Sequence, residues 1–155
     1  MNKRRTRKKV IVGGTFDILH NGHKALLKRA FSLGKVTIGL TSDTLAKKIK
    51  KRKVNDFKYR KKVLASFLRK EFRIEPKIIK IENKFGPTLK EDFDYIVVSP
   101  KTYETALLIN KIRLKNNKKP IYIILKKLVL AEDRKPISCE RILKKKIDVI
   151  GQLMG

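Results

Sequence analysis

The fold of this chain is decided by residues 10–23, which read V-I-V-G-G-T-F-D-I-L-H-N-G-H. The β-branched run at residues 10–12, ending at two glycines, predicts a buried strand that feeds a tight turn. Glycine lets a backbone approach a phosphate closely, and the start of the following helix offers free N–H groups and a partial positive charge to an anion. The stretch is neither a G-x-G-x-x-G fingerprint nor a P-loop, so the two glycines by themselves are more typical of a structural turn.

Strands and helices are predicted to alternate over the rest of the chain. Apolar runs and apolar residues at helical spacing predict strands at 10–12, 36–40, 77–81, 95–98 and 121–125, and helices at 22–33, 56–72, 103–114 and from about residue 138. Residues 41–53 form a polar, lysine-rich connection. Repeated βαβ units with nearly continuous Val, Ile and Leu strands predict an α/β fold with a single-domain, open, parallel five-stranded sheet that is doubly wound. Ligands of such sheets bind beyond the carboxyl ends of the strands.

Composition and charge narrow the class of protein. The 155 residues suit one domain, and 41 basic against 14 acidic residues give a net charge of +27. Residues 1–9 are predicted to be a disordered basic tail, followed by the domain at residues 10–155. The single cysteine, Cys139, excludes an internal disulfide and is typical of a reducing compartment. No apolar stretch approaches the length of a membrane span or a signal peptide, so the protein is expected to be soluble, cytoplasmic and without a membrane partner.

His20 and His23 are the only histidines, and they lie three residues apart where the first helix starts. As a metal pair they would need further ligands, and Cys139 is the only soft one left. They also fit a pair of capping or core histidines. As phosphate ligands, both imidazoles would donate hydrogen bonds with Gly22 making room between them, and phosphoryl-type transfer depends on such positioned donors. The sequence favours the phosphate interpretation and predicts no metal ligand.

Residues 13–17 (G-G-T-F-D) and 20–23 (H-N-G-H) together resemble the signature of the H-x-G-H nucleotidyltransferase superfamily. Further segments resemble one branch of it, the archaeal-type phosphopantetheine adenylyltransferases: residues 36–43, 85–87, 96–100 with Thr102, 128–133 and 135–142. The resemblance runs from about residue 10 to about residue 150 and implies a Rossmann-like nucleotidyltransferase fold. It also implies a reaction of coenzyme A biosynthesis, in which ATP and 4′-phosphopantetheine, with Mg²⁺, give dephospho-coenzyme A and pyrophosphate.

The resemblance implies a role for each matching position. The catalytic residues would be Thr15, His23 and Lys47, with Lys48 and Lys50 as neighbouring alternatives to Lys47. The residues that bind the nucleotide would be Gly14, Thr15, Phe16, His20, His23, Ser138 and Arg141. The acceptor would be bound by Lys47 and Arg60, an arginine that either grips a phosphate in a bidentate way or lies on a helix surface.

Three residues depart from the pattern of that family. Cys139 stands where the family has a hydroxyl, Glu140 adds a carboxylate beside it, and Lys101 stands where the family commonly has an acidic residue. Backbone N–H groups survive any substitution, so the departures at Cys139 and Glu140 affect ATP affinity more than the class of reaction. The departure at Lys101 implies that the role of that acidic residue is lost or altered. Glu140 either points outward or helps to hold Mg²⁺.

Two alternatives stay open at this point. The acceptor could be flavin mononucleotide, a nicotinamide mononucleotide or a polyol phosphate, although the segments beyond residue 36 argue against it. A basic RNA-binding module is a different class, supported by the net charge of +27. The chain has no Trp, only four Tyr and no recognised nucleic-acid motif, so the charge predicts only a non-specific affinity for nucleic acid. The sequence leaves the oligomeric state open.

Overall fold

A computed structural model describes residues 7–155 of the protein. Within them lie five strands: β1 (Lys9–Gly14), β2 (Lys35–Thr41), β3 (Lys77–Ile81), β4 (Tyr95–Val98) and β5 (Tyr122–Leu125). The same residues contain five helices: α1 (Asn21–Leu33), α2 (Asp43–Lys50), α3 (Phe57–Phe72), α4 (Tyr103–Lys115) and α5 (Cys139–Leu143). The strands form one sheet in the order β3-β2-β1-β4-β5, and every neighbouring pair is parallel. The predicted five-stranded parallel sheet is therefore confirmed.

The two faces of the sheet are covered by different helices, because successive residues of a strand point to opposite sides. On one face, Val10 and Val12 pack in a buried cluster with Leu27 of α1 and Leu64 of α3. On the other face, Ile11 belongs to a second buried cluster, which includes residues of β4 and α4. This arrangement confirms the doubly wound architecture.

The lysine-rich connection after β2 contains a helix, α2, that the sequence analysis did not predict. The Ser42 hydroxyl caps this helix by accepting a hydrogen bond from the backbone N–H of Leu45 at 3.1 Å. Ala46 is fully buried. Few apolar residues signal the helix in the sequence, because α2 has only eight residues and only one of its side chains is fully buried.

The last residue of the predicted basic tail, Lys9, belongs to the sheet. Residues 1–6 of that tail lie outside the described residues. Lys9 is the first residue of β1, and the backbone carbonyl of Lys8 accepts a hydrogen bond from the backbone N–H of Lys35 at 2.8 Å. The domain therefore begins before residue 10, because parallel pairing with β2 extends to Lys9.

The site is positioned by the strand order. β1 pairs with β2 on one side and with β4 on the other, which makes the gap between β1 and β4 the topological switch point of the sheet. The segment after β5 returns to the start of α1, where the backbone N–H of Asn21 donates to the carbonyl of Val149 at 2.9 Å. This return brings α5 beside the turn that follows β1. Within the described part of the chain, no helix has the length and apolar character that crossing a membrane requires.

Candidate active site

A cavity of about 430 Å³ lies at the carboxyl ends of the strands, where the sequence analysis expects the ligand. Six of the predicted site residues line this cavity: Gly14, Thr15, Phe16, His20, His23 and Ser138. The lining residues also include five lysines and two carboxylates, so the cavity carries an excess of positive charge that suits a polyphosphate. Lys50 and Lys101 are among these lysines.

The turn after β1 has an unusual backbone. Phe16 has a φ of 46°, in the left-handed region that non-glycine residues adopt at a cost of about 1–3 kcal/mol. Its ring folds back over Gly14, where an added Cβ would lie 2.9 Å from the Phe16 ring. Gly14 is therefore required by packing as well as by any approach of a ligand to the backbone.

The two histidines cap α1 and line the cavity at once. His20 is the N-cap residue, and its Nδ1 accepts hydrogen bonds from the backbone N–H groups of Gly22 at 3.0 Å and His23 at 3.4 Å. In return, the Nδ1 of His23 accepts a hydrogen bond from the backbone N–H of His20 at 3.3 Å. The rings stack with centroids 3.7 Å apart, and an added Cβ on Gly22 would lie 2.8 Å from the His20 ring.

This hydrogen bonding fixes the tautomer of both rings. Because each Nδ1 accepts, each neutral imidazole carries its proton on Nε2, and the backbone of Ile18 is a hydrogen-bond partner of the His23 ring. Burial, followed by the charges of Lys101 and Lys50, lowers the pKa of His20 to about 4, while Glu140 opposes the shift. The pKa of His23 falls to about 3. The chief cause is again burial, followed by the nearby His20. Both rings are therefore neutral hydrogen-bond donors at physiological pH.

Cys139 completes a cluster of possible metal ligands with the histidines, since one ligand atom from each of the three residues lies within 4.8 Å of the others. A histidine that binds a metal through one nitrogen normally donates a proton from the other. Here both Nδ1 atoms accept, which leaves no free lone pair on either ring. Burial also raises the pKa of the Cys139 thiol, which lies 3.5 Å from the carbonyl of Ile18. The arrangement therefore suits histidines that donate hydrogen bonds to a phosphate better than histidines that ligate a metal.

Arg60 does not reach the cavity, contrary to its predicted role in binding the acceptor. It is 1% exposed, and its guanidinium donates to the carbonyl of Asn55 at 2.7 Å, the carbonyl of Thr15 at 3.1 Å and the hydroxyl of Thr41 at 3.2 Å. A fourth bond, of 3.1 Å, goes to the carboxylate of Asp43. The side chain of Arg60 points from α3 into the protein, so it holds neighbouring segments together and does not bind a phosphate in the cavity. We call this set of hydrogen bonds the Arg60 clamp.

The Arg60 clamp holds the turn at Thr15. Arg60 donates to the Thr15 carbonyl and to the Thr41 hydroxyl, and the Thr41 hydroxyl donates to the Thr15 hydroxyl, 3.0 Å away. The proton of Thr15 has no partner within this chain of bonds, and Thr15 lines the cavity. Arg60 is therefore a positioning residue for Thr15.

The structure does not bring Lys47 to the cavity. α2 directs Leu45, Ile49 and Lys50 toward the cavity, whereas Lys47 is exposed and lines a separate hollow with Asp43. The helical period explains the difference, because successive residues are rotated by about 100°. Lys50, weighed only as a neighbouring alternative in the sequence, replaces Lys47 as the lysine beside the histidines.

Ser138 and Arg141 have different surroundings. Ser138 is the N-cap of α5 and lines the cavity. The guanidinium of Arg141 instead donates to the carbonyls of Pro136 at 3.0 Å and Lys135 at 3.3 Å and pairs with Asp133. Arg141 therefore holds the loop before α5 and, contrary to prediction, is not among the residues that line the cavity.

Sequence reasoning missed the role of Asp17. This buried carboxylate accepts hydrogen bonds from Arg52 at 2.7 Å and from the backbone N–H of Asn55 at 2.9 Å. It ties the turn after β1 to the connection that follows α2. An aspartate directly after a glycine turn was visible in the sequence, but its partners are 35 and 38 residues away and carry no local signal.

Comparison with known proteins shows the family and the fold of this chain. The sequence model of the cytidylyltransferase-like family matches residues 11–145. A phosphopantetheine adenylyltransferase from Methanosarcina mazei is 46% identical over 150 residues, which is 94% of this chain and 96% of that protein. A protein of the same name from Archaeoglobus fulgidus is 44% identical over 148 residues, covering 94% of this chain and 99% of that protein. The solved structure of an Archaeoglobus fulgidus protein of unknown function matches with a TM-score of 0.74 and 40% identity, over 84% of this chain and 99% of that one.

The hydrogen bonds of the buried Arg60 should contribute to the stability of the protein. Arg60→Met should lower the free energy of unfolding by about 2–4 kcal/mol, because buried acceptors lose their donor. Urea unfolding followed by circular dichroism measures this change, and Lys61→Met, at the exposed neighbouring position on α3, is the matched control. Unchanged stability combined with weaker nucleotide binding would restore Arg60 as a phosphate ligand.

The lowered pKa values of the histidines generate the second prediction. Below its unfolded pKa of about 6.5, each histidine binds more protons in the unfolded chain than in the folded one, so stability falls as pH falls. Between pH 7.5 and pH 5 the free energy of unfolding should drop by about 2 kcal/mol for each ring, or about 4 kcal/mol for the two together. Urea titrations at each pH test this, and a His20→Asn, His23→Asn double variant should lose most of the dependence. An equally steep dependence in that variant would assign it to other groups.

Proposed function

Since this chain belongs to the cytidylyltransferase-like family and, within it, to the phosphopantetheine adenylyltransferases, we propose that it transfers AMP from ATP to 4′-phosphopantetheine. The products are dephospho-coenzyme A and pyrophosphate, which places the reaction in coenzyme A biosynthesis. The observation that carries the proposal is the pair of neutral imidazoles, each fixed as an Nε2–H donor in a cationic cavity. Positioned donors of this kind stabilise charge that develops on phosphate oxygens.

The proposed reaction is a direct displacement. An oxygen of the acceptor phosphate forms a bond to the α-phosphorus of ATP, while the bond from that phosphorus to the bridging oxygen of the β-phosphate breaks. Pyrophosphate leaves with the electron pair, and no covalent enzyme intermediate forms. Such a reaction depends on positioning and on charge stabilisation rather than on a nucleophilic side chain.

We assign the donors around the reacting phosphorus as follows. Thr15 and His23 donate to oxygens of the acceptor and of the α-phosphate, and His20 donates toward the β- and γ-phosphates. Support comes from the free proton of Thr15 and from the Nε2–H tautomer of both rings. Lys50, rather than Lys47, neutralises charge on the reacting phosphates, because Lys50 lines the cavity and affects the pKa of both histidines.

Mg²⁺ is proposed to enter with ATP as part of the substrate. The two carboxylates that line the cavity are Asp17 and Glu140. Both oxygens of Asp17 already accept hydrogen bonds, and Glu140 faces two cations. Phosphate oxygens and water are therefore expected to supply most of the ligands of the ion, which is common for Mg²⁺. The ion would neutralise charge on the phosphates.

The remaining assignments follow from position. Gly14 and Phe16 line the nucleotide site, and Ser138 contributes a wall opposite the turn. The protein is proposed to act in the cytoplasm, where the substrates of this reaction are made and used. Contacts with nucleic acid are proposed only as non-specific, salt-dependent affinity, because the net charge of +27 is spread along the chain.

An acceptor assay tests the proposal. The protein is incubated with ATP, Mg²⁺ and one of four acceptors: 4′-phosphopantetheine, flavin mononucleotide, nicotinamide mononucleotide or a polyol phosphate. Pyrophosphate release should be fastest with 4′-phosphopantetheine, and His23→Ala should reduce it by about 10²-fold. Faster turnover with another acceptor would replace the assignment of the acceptor, and release unaffected by His23→Ala would remove the assigned role of that ring.

The two lysines of α2 give a matched pair for a further prediction. Lys50→Ala should lower kcat by about 10²-fold, because a cation beside the reacting phosphates is lost. Lys47→Ala removes the same charge from the exposed side of the same helix and should change kcat by less than about twofold. Steady-state kinetics at saturating ATP compare the two, and a larger loss in Lys47→Ala would reverse the assignment.

A further inference from the structure

Glu140 links the two sides of the cavity through ion pairs. It lies in the first turn of α5, and its Oε1 is 3.8 Å from the Nζ of Lys50 and 3.7 Å from the Nη2 of Arg52. Lys50 is the last residue of α2, and both Lys50 and Glu140 line the cavity. The carboxylate therefore lies between Lys50, which lines the cavity, and Arg52, which is not among the lining residues.

Glu140 is a weak electrostatic partner of Lys50 and Arg52 and forms no hydrogen bond with either. Both separations are longer than a hydrogen bond. Among the described residues, the Nε and Nη2 atoms of Arg52 are buried and have no hydrogen-bond partner. Buried donors normally have a partner, and each exception asks for an explanation. The Glu140 side chain is 43% exposed, so it can rotate toward solvent. A better anion at the same position would bind these donors more closely.

We propose that Glu140 competes with a phosphate group of ATP for Lys50 and Arg52, so that nucleotide has to displace this carboxylate in order to bind. The inference rests on the proposed function, because it takes the cavity as the site of a nucleoside triphosphate. A phosphate oxygen between the two cations would give Arg52 the partner that its buried donors lack. Repulsion between the two anions would turn Glu140 outward.

The competition concerns the β- and γ-phosphates. Glu140 raises the pKa of His20, the ring proposed to donate toward the β- and γ-phosphates. Burial alone would raise the pKa of Glu140, but the backbone at the helix start, Lys50, Lys101 and Arg52 together lower it. Glu140 is therefore a charged competitor at neutral pH.

Two other roles for Glu140 make opposite predictions. If its carboxylate held Mg²⁺, its removal would weaken the binding of Mg-ATP. If it only stabilised the first turn of α5, its removal would lower stability and leave nucleotide affinity unchanged. Competition alone predicts that neutralising the side chain strengthens binding.

Isothermal titration calorimetry of the full chain with Glu140→Gln tests the inference. At fixed Mg²⁺, the Kd of ATP and the Kd of inorganic pyrophosphate should both fall by about 5- to 20-fold, because a like charge is removed beside the phosphates. The Kd of AMP should change by less than about twofold. In a Lys50→Ala background, Glu140→Gln should lower the Kd of ATP much less, because one of the two cations for which Glu140 and the phosphate compete is missing.

Glu71→Gln is the matched control. Glu71 is also 43% exposed and pairs with a lysine, Lys28, at 3.6 Å. Glu71→Gln removes the same charge, but Glu71 lies on α3 and does not line the cavity. The substitution should therefore change the Kd of ATP by less than about twofold. An unchanged or higher Kd of ATP and pyrophosphate in Glu140→Gln, or an equal gain for AMP, would overturn the inference. The binding titrations use no acceptor, so a failure of the inference can be distinguished from a failure of the proposed function in the acceptor assay.

Discussion

The arrangement of this site depends on a single buried cation, Arg60. A guanidinium keeps its charge at physiological pH, and at 1% exposure all of its donors must find acceptors inside the protein. The acceptors come from the turn after β1, the end of β2, the start of α2 and the connection before α3. These four segments cannot separate without leaving a buried charge unpaired, which is among the costliest defects in a folded protein. The turn that carries Thr15 is therefore held by electrostatics as well as by packing.

The histidine pair shows one set of hydrogen bonds serving structure and chemistry together. The backbone N–H groups at the start of α1 need acceptors, and the Nδ1 atom of His20 supplies one. Accepting at Nδ1 leaves the proton on Nε2, which is the donor that phosphate recognition needs. The capping and phosphate interpretations, which looked like alternatives in the sequence, are thus compatible. Low pKa values follow from the same burial, so both rings are neutral at physiological pH.

Much of the fold was predictable because it depends on local patterns. The β-branched runs found β1 to β5 to within a few residues, and the helix predicted at residues 56–72 is α3, Phe57–Phe72. The glycine turn and the spacing of the two histidines also indicated the position of the site. Among the predicted site residues, the failures concern the direction of the side chain rather than its location. Lys47, Arg60 and Arg141 all lie near the predicted crevice in sequence, but each side chain points elsewhere.

The sequence by itself determined the alternation of strands and helices, the phosphate-type turn and the family, because each is written in residues that are close together along the chain. The tertiary structure alone decided which lysine of α2 faces the cavity, that Arg60 is a clamp, and that Glu140 meets Lys50 and Arg52. These features join segments that are between 17 and about 90 residues apart, and they depend on helix rotation and burial. No local sequence pattern predicts them, because the identity of a charged residue does not show whether its side chain is solvated, buried or directed at a ligand.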